Sequence, residues 1–543
     1  MGVHWENLGR GAIGMTFLIL VCYMLSNNRS TINWKLVGMG LLAQVMFAMG
    51  VLNTQIGNQP VFWVFAGIML VFLITGEIRR NGIPHKANPA AFFWFAAVIF
   101  AFVFFFLADT QLFPTRGFSF LIGAVFLAIL FRFLRRSSVS LLKWSFYINM
   151  VLLTIAVYTK WCPPDIFRQI LQGVSTSFVS LINIGHQGTE FMFGRLADPS
   201  DSWAYVFAIQ VLPNIIFFAA LSSILYYLGI LQKLVYVFAY LLNKLNISGA
   251  ESLSTAANIF LGQTEAPIMI RPYLEGMNRS EILCIMVGGM ANTAGSVLAA
   301  YVGFLGGNDV DQQNYFALHM LSQSIMSAPA AIVCSKILFP QPKGAEISKR
   351  LEIPREKLGD NFLDAISMGT TDGLKLAVNV GAMLIVFTAV MGLVNALMGW
   401  IGGVSGLNNT IASYTNGQYQ ELSLQLILGY LFAPIAWMIG VARTDMVTIG
   451  QLLGEKTILN EFVAYVSLGR MKADNLITDP KSLLIATYAL CGFANFASIG
   501  IQIGGISQLA PNQRRNLTEL GLKSLIGGTI ACLMCGCIAG ALF

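Results

Sequence analysis

The chain is built from long apolar runs separated by short polar breaks. In its first part the pattern predicts six spans, at about 11–27, 34–53, 61–77, 90–108, 118–134 and 143–159. Residues 163–200 carry Asp165, Arg168, His186 and Glu190 and suit an interfacial helix followed by a loop. A span at about 204–229 and a surface-lying helix at about 230–246 follow. From residue 250 the apolar segments become short and are interrupted by Gly, Pro, Asn and Thr. This pattern predicts a re-entrant hairpin at 252–276 with its tip near Gly262–Glu265, a span at 281–304 broken near Gly288–Ser296, and a span at 315–339. The linker 341–369 alternates in charge and must be solvated. A long span at 372–400, a polar loop at 405–420, a second hairpin at about 422–466 with Pro434 in its first arm, a broken span at 482–508 and a last span at 520–542 complete the chain.

The second half contains a repeat. Gly289-Met-Ala-Asn-Thr-Ala294 resembles Gly492-Phe-Ala-Asn-Phe-Ala497, each in an interrupted span. Each copy follows a hairpin with an intramembrane acid, Glu265 in the first and Glu461 in the second, and each precedes one more span. One long span between the copies inverts the second relative to the first. Inverted repeats with paired broken helices mark secondary transporters that bind substrate near the bilayer midplane.

Composition agrees with this reading. Of 543 residues, 56% are hydrophobic and 11% charged, against about 25% charged in soluble domains. The fold class is therefore all-α and polytopic. The net charge of +7 sits largely in short loops, where it sets topology and is no nucleic-acid signal. Basic loops alternate so as to place the N-terminus outside. Four scattered histidines make no metal pattern. Cys532, Cys535 and Cys537 resemble spaced ligands, but Gly536 and Gly540 share their helix, and small residues for helix packing explain the set better.

The chemistry concentrates in Gly262-Gln263-Thr264-Glu265-Ala266-Pro267, which puts a carboxylate, a carboxamide and a hydroxyl together at bilayer depth. A charge there costs about 2.5–3.5 kcal/mol on insertion scales and marks a substrate or ion path. Asn292 and Asn495 sit at the predicted helix breaks, where an amide that donates and accepts suits an uncharged hydroxylated substrate. Glu265 and Glu461 fit a proton relay, a cation site or acceptors for substrate. Phe493 and Phe496 fit stacking on a flat ring or ordinary packing.

Three runs carry a family resemblance: Asn258-Ile-Phe-Leu-Gly-Gln-Thr-Glu-Ala-Pro267, Thr457-Ile-Leu-Asn-Glu-Phe-Val-Ala-Tyr465 and Cys491-Gly-Phe-Ala-Asn-Phe-Ala-Ser-Ile-Gly-Ile-Gln-Ile-Gly-Gly505. They resemble the concentrative nucleoside transporter family, over about residues 162–543 and again over 11–53. Residues 54–161 depart from the short bacterial pattern as four inserted spans. The resemblance implies that Gln263, Thr264 and Glu265, with Val297 alongside, meet the nucleobase. It implies that Glu461, Asn495 and Ser498 bind ribose hydroxyls beside Phe493. It places a sodium site at Asn258, the Leu261 carbonyl, Asn292 and the Thr293 carbonyl. Asn292 stands where Ser or Thr is usual, and Thr293 where Ile or Val is usual.

The expected organisation is 1–53 as the first scaffold spans, 54–161 as inserted spans, and 162–247 as interfacial helices with a scaffold span. A first transport repeat occupies 248–340, a linker and long scaffold span 341–404, and a second transport repeat 405–543. The expected protein is a sodium–nucleoside symporter of the plasma (inner) membrane, with both termini outside and elevator-like movement. Its partners are nucleoside, sodium ion, membrane lipid and two copies of itself in a homotrimer, with no cofactor and no nucleic acid. Proton coupling is the rival within the family, and Asn258 favours sodium. An integral membrane enzyme is the rival outside it, and the acid pair or interfacial metal motif it needs is missing from the sequence. The pocket residues do not decide between purine and pyrimidine.

Overall fold

The computed structural model describes residues 5–52, 163–197, 206–342 and 359–543, apart from single positions at 308, 416 and 418. The inserted spans expected at 54–161 lie outside the described residues. The chain divides into two compact units, one of residues 4–40 with 171–543, the other of residues 1–3 with 41–170. Every site discussed below lies in the first.

The described residues form helices and turns. Helices α1 (Trp5–Met24), α2 (Trp34–Leu52) and α3 (Pro163–Phe193) lead into α4 (Leu212–Tyr227) and α5 (Ile230–Asn243). The first hairpin pairs α6 (Gly249–Ala257) with a 3-10 turn at Ala266–Ile270 and the short α7 (Arg271–Leu274). A broken span follows as α8 (Arg279–Ala291) and α9 (Gly295–Gly306), then α10 (Val310–Leu338). The long α11 (Phe362–Val404), short α12 (Leu407–Tyr414) and α13 (Leu424–Met438) come next. The second hairpin is α14 (Met446–Ile458) and α15 (Glu461–Ala473), and its broken span is α16 (Pro480–Leu490) and α17 (Phe496–Leu509), before α18 (Arg514–Leu542). Among the described residues, five segments are long and apolar enough to cross a membrane. The protein is a multi-pass, all-α membrane protein.

The second hairpin corrects the reading from sequence. It runs over 446–473, not 422–466, and reverses at Leu459–Asn460. Pro434 does not mark an arm of it. It lies inside the separate helix α13, which turns back at Gly440 with φ +105°. The reversal at 459–460 uses no Gly or Pro; Asn460 caps α15 by accepting from the Val463 amide at 2.9 Å.

Close helix contacts explain the glycine spacing. Gly369, Gly373 and Ala377 are buried at four-residue intervals on α11. A methyl at Gly373 would stand 2.8 Å from the Ile216 Cα and the Ala219 Cβ of α4. The rest of α11 turns outward, with Leu363, Ile385, Leu393 and Val404 between 72% and 76% exposed. On α18, Gly536 and Gly540 abut Ile485 of α16, and the Cys532 thiol donates to the Cys491 carbonyl at 3.0 Å. The small-residue reading of this helix therefore holds.

Polar clamps fix both hairpins. In the first, Ser248 and Glu251 form a capping box at the start of α6, and the buried Glu251 pairs with Lys336 of α10. In the second, Asp445 lies in the turn before α14 and accepts from Thr478 N at 3.1 Å, Thr478 Oγ1 at 2.7 Å and Asp479 N at 3.0 Å. Burial pushes the Asp445 carboxyl up, but the bonds from Thr478, Asp479 and Ser482 outweigh it and hold it below the ordinary carboxylate range. A carboxyl lowered by folding stabilises fully above its unfolded pKa, and that stabilisation disappears as pH falls through the folded value. Asp445→Asn is expected to cost about 1.5–3 kcal/mol at neutral pH. Thermal unfolding in detergent should show the gap between variant and wild type closing below about pH 4. A gap that is constant with pH would contradict the assignment.

Candidate functional site

Two hairpin tips and two helix breaks converge. At the first tip the Glu265 carboxylate accepts from the Gly262 amide at 3.3 Å, so the acid folds back on its own turn instead of pairing with Arg271. The first break, Asn292 to Ala294, is tied to that tip by the Gly295 amide, which donates to the Phe260 carbonyl at 3.2 Å. In the second break Asn495 caps α17 by accepting from Ser498 N at 2.8 Å. Its amide donates to Glu461 Oε2 at 2.7 Å, and the Tyr301 hydroxyl donates to Glu461 Oε1 at 3.3 Å. Glu461 is 3% exposed, so these donors take the place of water.

The two repeats also bond across the centre. Gln263 Nε2 of the first hairpin donates to Ser498 Oγ at 3.1 Å. Gln323 Nε2 of α10 donates to both the Ala291 carbonyl at 3.2 Å and the Cys491 carbonyl at 2.9 Å, one at each break. Gly492 has φ +125°, and a methyl there would stand 2.7 Å from the Ala291 carbonyl oxygen and the Cys532 sulfur. Only glycine permits this approach.

A cavity of about 540 Å³ lies at this junction. Gln263, Thr264, Glu265, Val297, Glu461, Phe493, Asn495 and Ser498 all line it. Phe496 does not; it is 53% exposed. The facing wall comes from α11, through Asp372, Lys375 and Asn379. Asp372 and Lys375 pair at 3.6 Å. Sequence reasoning missed these three. The available signal was polar residues three and four apart on one face of an otherwise apolar span. A cavity of this size suits one small molecule of drug-like dimensions. Its carboxylates, amides and hydroxyls, with Phe493 beside them, suit a neutral ring bearing hydroxyls.

Of the expected cation ligands, Asn258 and Asn292 both meet Gly288 of α8, behind the first tip. Asn258 caps the end of α6 and is 1% exposed. Its Nδ2 donates to the Ser254 carbonyl at 3.1 Å, but its buried Oδ1 has no hydrogen-bond partner. Asn292 Oδ1 accepts from the Ser327 hydroxyl, and its Nδ2 donates to the Gly288 carbonyl at 3.3 Å. The Thr293 hydroxyl meets the Cys491 sulfur at 3.3 Å. An unpartnered buried carboxamide oxygen is a hard donor and fits a small hard cation. Ser327, absent from the expected set, holds the Asn292 oxygen in place.

Three family descriptions match the chain: "Na+ dependent nucleoside transporter N-terminus" over residues 13–76, "Nucleoside recognition" over 208–308 and "Na+ dependent nucleoside transporter C-terminus" over 319–540. An uncharacterized transporter of Haemophilus influenzae is 41% identical over 377 residues, covering 69% of this chain and 85% of that protein. The chain belongs to the Na+-dependent nucleoside transporter family. Human sodium/nucleoside cotransporter 1 is 33% identical over 502 residues, 88% of this chain and 72% of that protein. Solute carrier family 28 member 3 of Eptatretus stoutii is 39% identical over 370 residues, and the chain spans 50% of its length. Among solved structures, CNTnw in an inward-facing substrate-bound state is 28% identical with TM-score 0.69, covering 99% of this chain and 98% of that one. A doubly substituted CNTnw in an outward-facing state gives TM-score 0.71, covering 99% of each chain. Members of this nucleoside transporter family are transporters and not enzymes.

Proposed function

We propose that the protein imports nucleosides across the plasma (inner) membrane by symport with sodium. The observation that carries this is the convergence of all eight expected substrate residues on one cavity, with the Glu461 carboxylate held between Asn495 and Tyr301. Glu461, Asn495 and Ser498 take the ribose hydroxyls, with Phe493 beside them. Gln263, Thr264 and Glu265 take the base, with Val297 alongside. Asn258, the Leu261 carbonyl, Asn292 and the Thr293 carbonyl take the sodium ion. The cation set touches the tip that lines the cavity, so filling it orders the substrate site and couples the two.

In this reading the hairpins and broken spans are inverted repeats that move together past a stationary α4 and α11, and the outward apolar face of α11 meets lipid or sister copies in a homotrimer. The related CNTnw structures include an inward-facing substrate-bound state and an outward-facing state. The orphaned Asn258 oxygen favours sodium coupling, since it leaves a hard donor available to a cation.

Uptake of labelled uridine and adenosine into proteoliposomes, with sodium and proton gradients imposed separately, tests the reading. Sodium should drive uptake; full-rate uptake on a proton gradient without sodium would overturn it. Asn258→Ala removes one ligand and is expected to raise the half-saturating sodium concentration by about tenfold or more, on the order of one lost charge-assisted contact. Uridine affinity at saturating sodium should change far less. The reverse pattern would move Asn258 into the substrate pocket.

A further inference from the structure

The second repeat contains a cation of its own. Lys456 lies in the last turn of α14, the first arm of the second hairpin, and is 2% exposed. Its ammonium donates to the carbonyl of Ala489 at 2.9 Å, in the last turn of α16. A buried ammonium without full compensation is costly to desolvate. The carbonyl end of a half-helix supplies part of that compensation through its partial negative charge. The Glu461 carboxylate lies within Coulombic reach of it.

The placement parallels the first repeat. There the cation set lies between the end of α6, at Asn258, and the carbonyl end of α8. Here Lys456 lies between the end of α14 and the carbonyl end of α16. Lys456 sits three residues before the cap position that Asn258 occupies in its own hairpin, and a four-carbon stem makes up the difference.

We propose that Lys456 is a resident cation that does in the second repeat what a bound sodium does in the first. It seats the hairpin on its broken helix, so that only the first repeat takes a mobile ion and each nucleoside moves with one sodium. This inference rests on the sodium–nucleoside reading above and deepens it.

The test uses the full chain in proteoliposomes with uridine as probe. Reversal-potential measurements on the wild type should give one sodium per uridine. In Lys456→Ala the vacated place admits sodium, so uridine affinity at low sodium should fall about tenfold and recover at high sodium. The sodium activation curve should steepen from a slope of about one toward about two. Lys456→Arg keeps the charge and should keep the single-ion behaviour. Two sodium ions per uridine in the wild type would overturn the proposal, and this measurement stands even if the alanine variant does not fold. So would a folded alanine variant with unchanged affinity and slope, or one whose lost affinity sodium does not restore. Wild-type uridine uptake without any sodium effect would instead remove the symport reading, and the inference with it.

Discussion

Replacing Glu461 with Gln should lower nucleoside affinity by one to two orders of magnitude. Glu461 accepts from Asn495 and Tyr301 and is itself buried. Gln keeps the shape but offers one acceptor oxygen and a competing amide. The amide hydrogens then face the Asn495 amide or the Tyr301 hydroxyl, and one donor is left unsatisfied. A hydrogen bond to a charged group contributes about 1.5–3 kcal/mol, which sets the expected loss. Nucleosides lacking the contacted sugar hydroxyl should lose less than ribonucleosides. Equilibrium binding to purified protein at saturating sodium is the measurement. Unchanged uridine affinity in the variant would remove Glu461 from the ribose site.

The second large effect is on the scaffold of the site. Gly492→Ala should destabilise the protein by about 3 kcal/mol or more, because a disfavoured φ and a clash with packed backbone both act. The φ of +125° is closed to alanine, and the added methyl meets the Ala291 carbonyl and the Cys532 sulfur at 2.7 Å. Relief requires the two breaks to separate, which also stretches the paired bonds from Gln323. Both thermal stability and uridine binding should fall together. Gly500→Ala on α17 is the control, since a methyl there meets nothing within 4 Å. If Gly492→Ala melts with the wild type and binds normally, the breaks are not as closely packed as the geometry requires.

The first hairpin was legible because its signals are local. Gly262 and Pro267 bracket the turn, both flanks are too short to span, and three polar side chains sit where lipid would reject them. Its tip is where the pattern put it. The second hairpin was bounded wrongly because its turn at Leu459–Asn460 relies on an Asn cap, while the conspicuous Pro434 lies within a helix that tolerates it. The breaks were legible from the repeated Gly-x-Ala-Asn pattern. Their mutual contact was not, because Gln323 and Tyr301 look like ordinary residues of apolar spans until the tertiary fold brings them together. Asp372, Lys375 and Asn379 were hidden for the same reason. They belong to a third element whose approach to the hairpins no local pattern encodes.

Helix α11 has 43 residues. At 1.5 Å per residue it is about 65 Å long, roughly twice the hydrocarbon thickness of a bilayer. An upright helix of that length projects into water at one end or both; a steeply tilted one presents a slanted rail. Asp372 and Lys375 lie near its polar start, and the apolar rows continue to Val404. On the movement proposed above, a body gliding along such a rail would not be stopped by the end of the track. Its stroke would be limited by where the surrounding bilayer begins and ends, which would make membrane thickness a control on how far the cargo is carried.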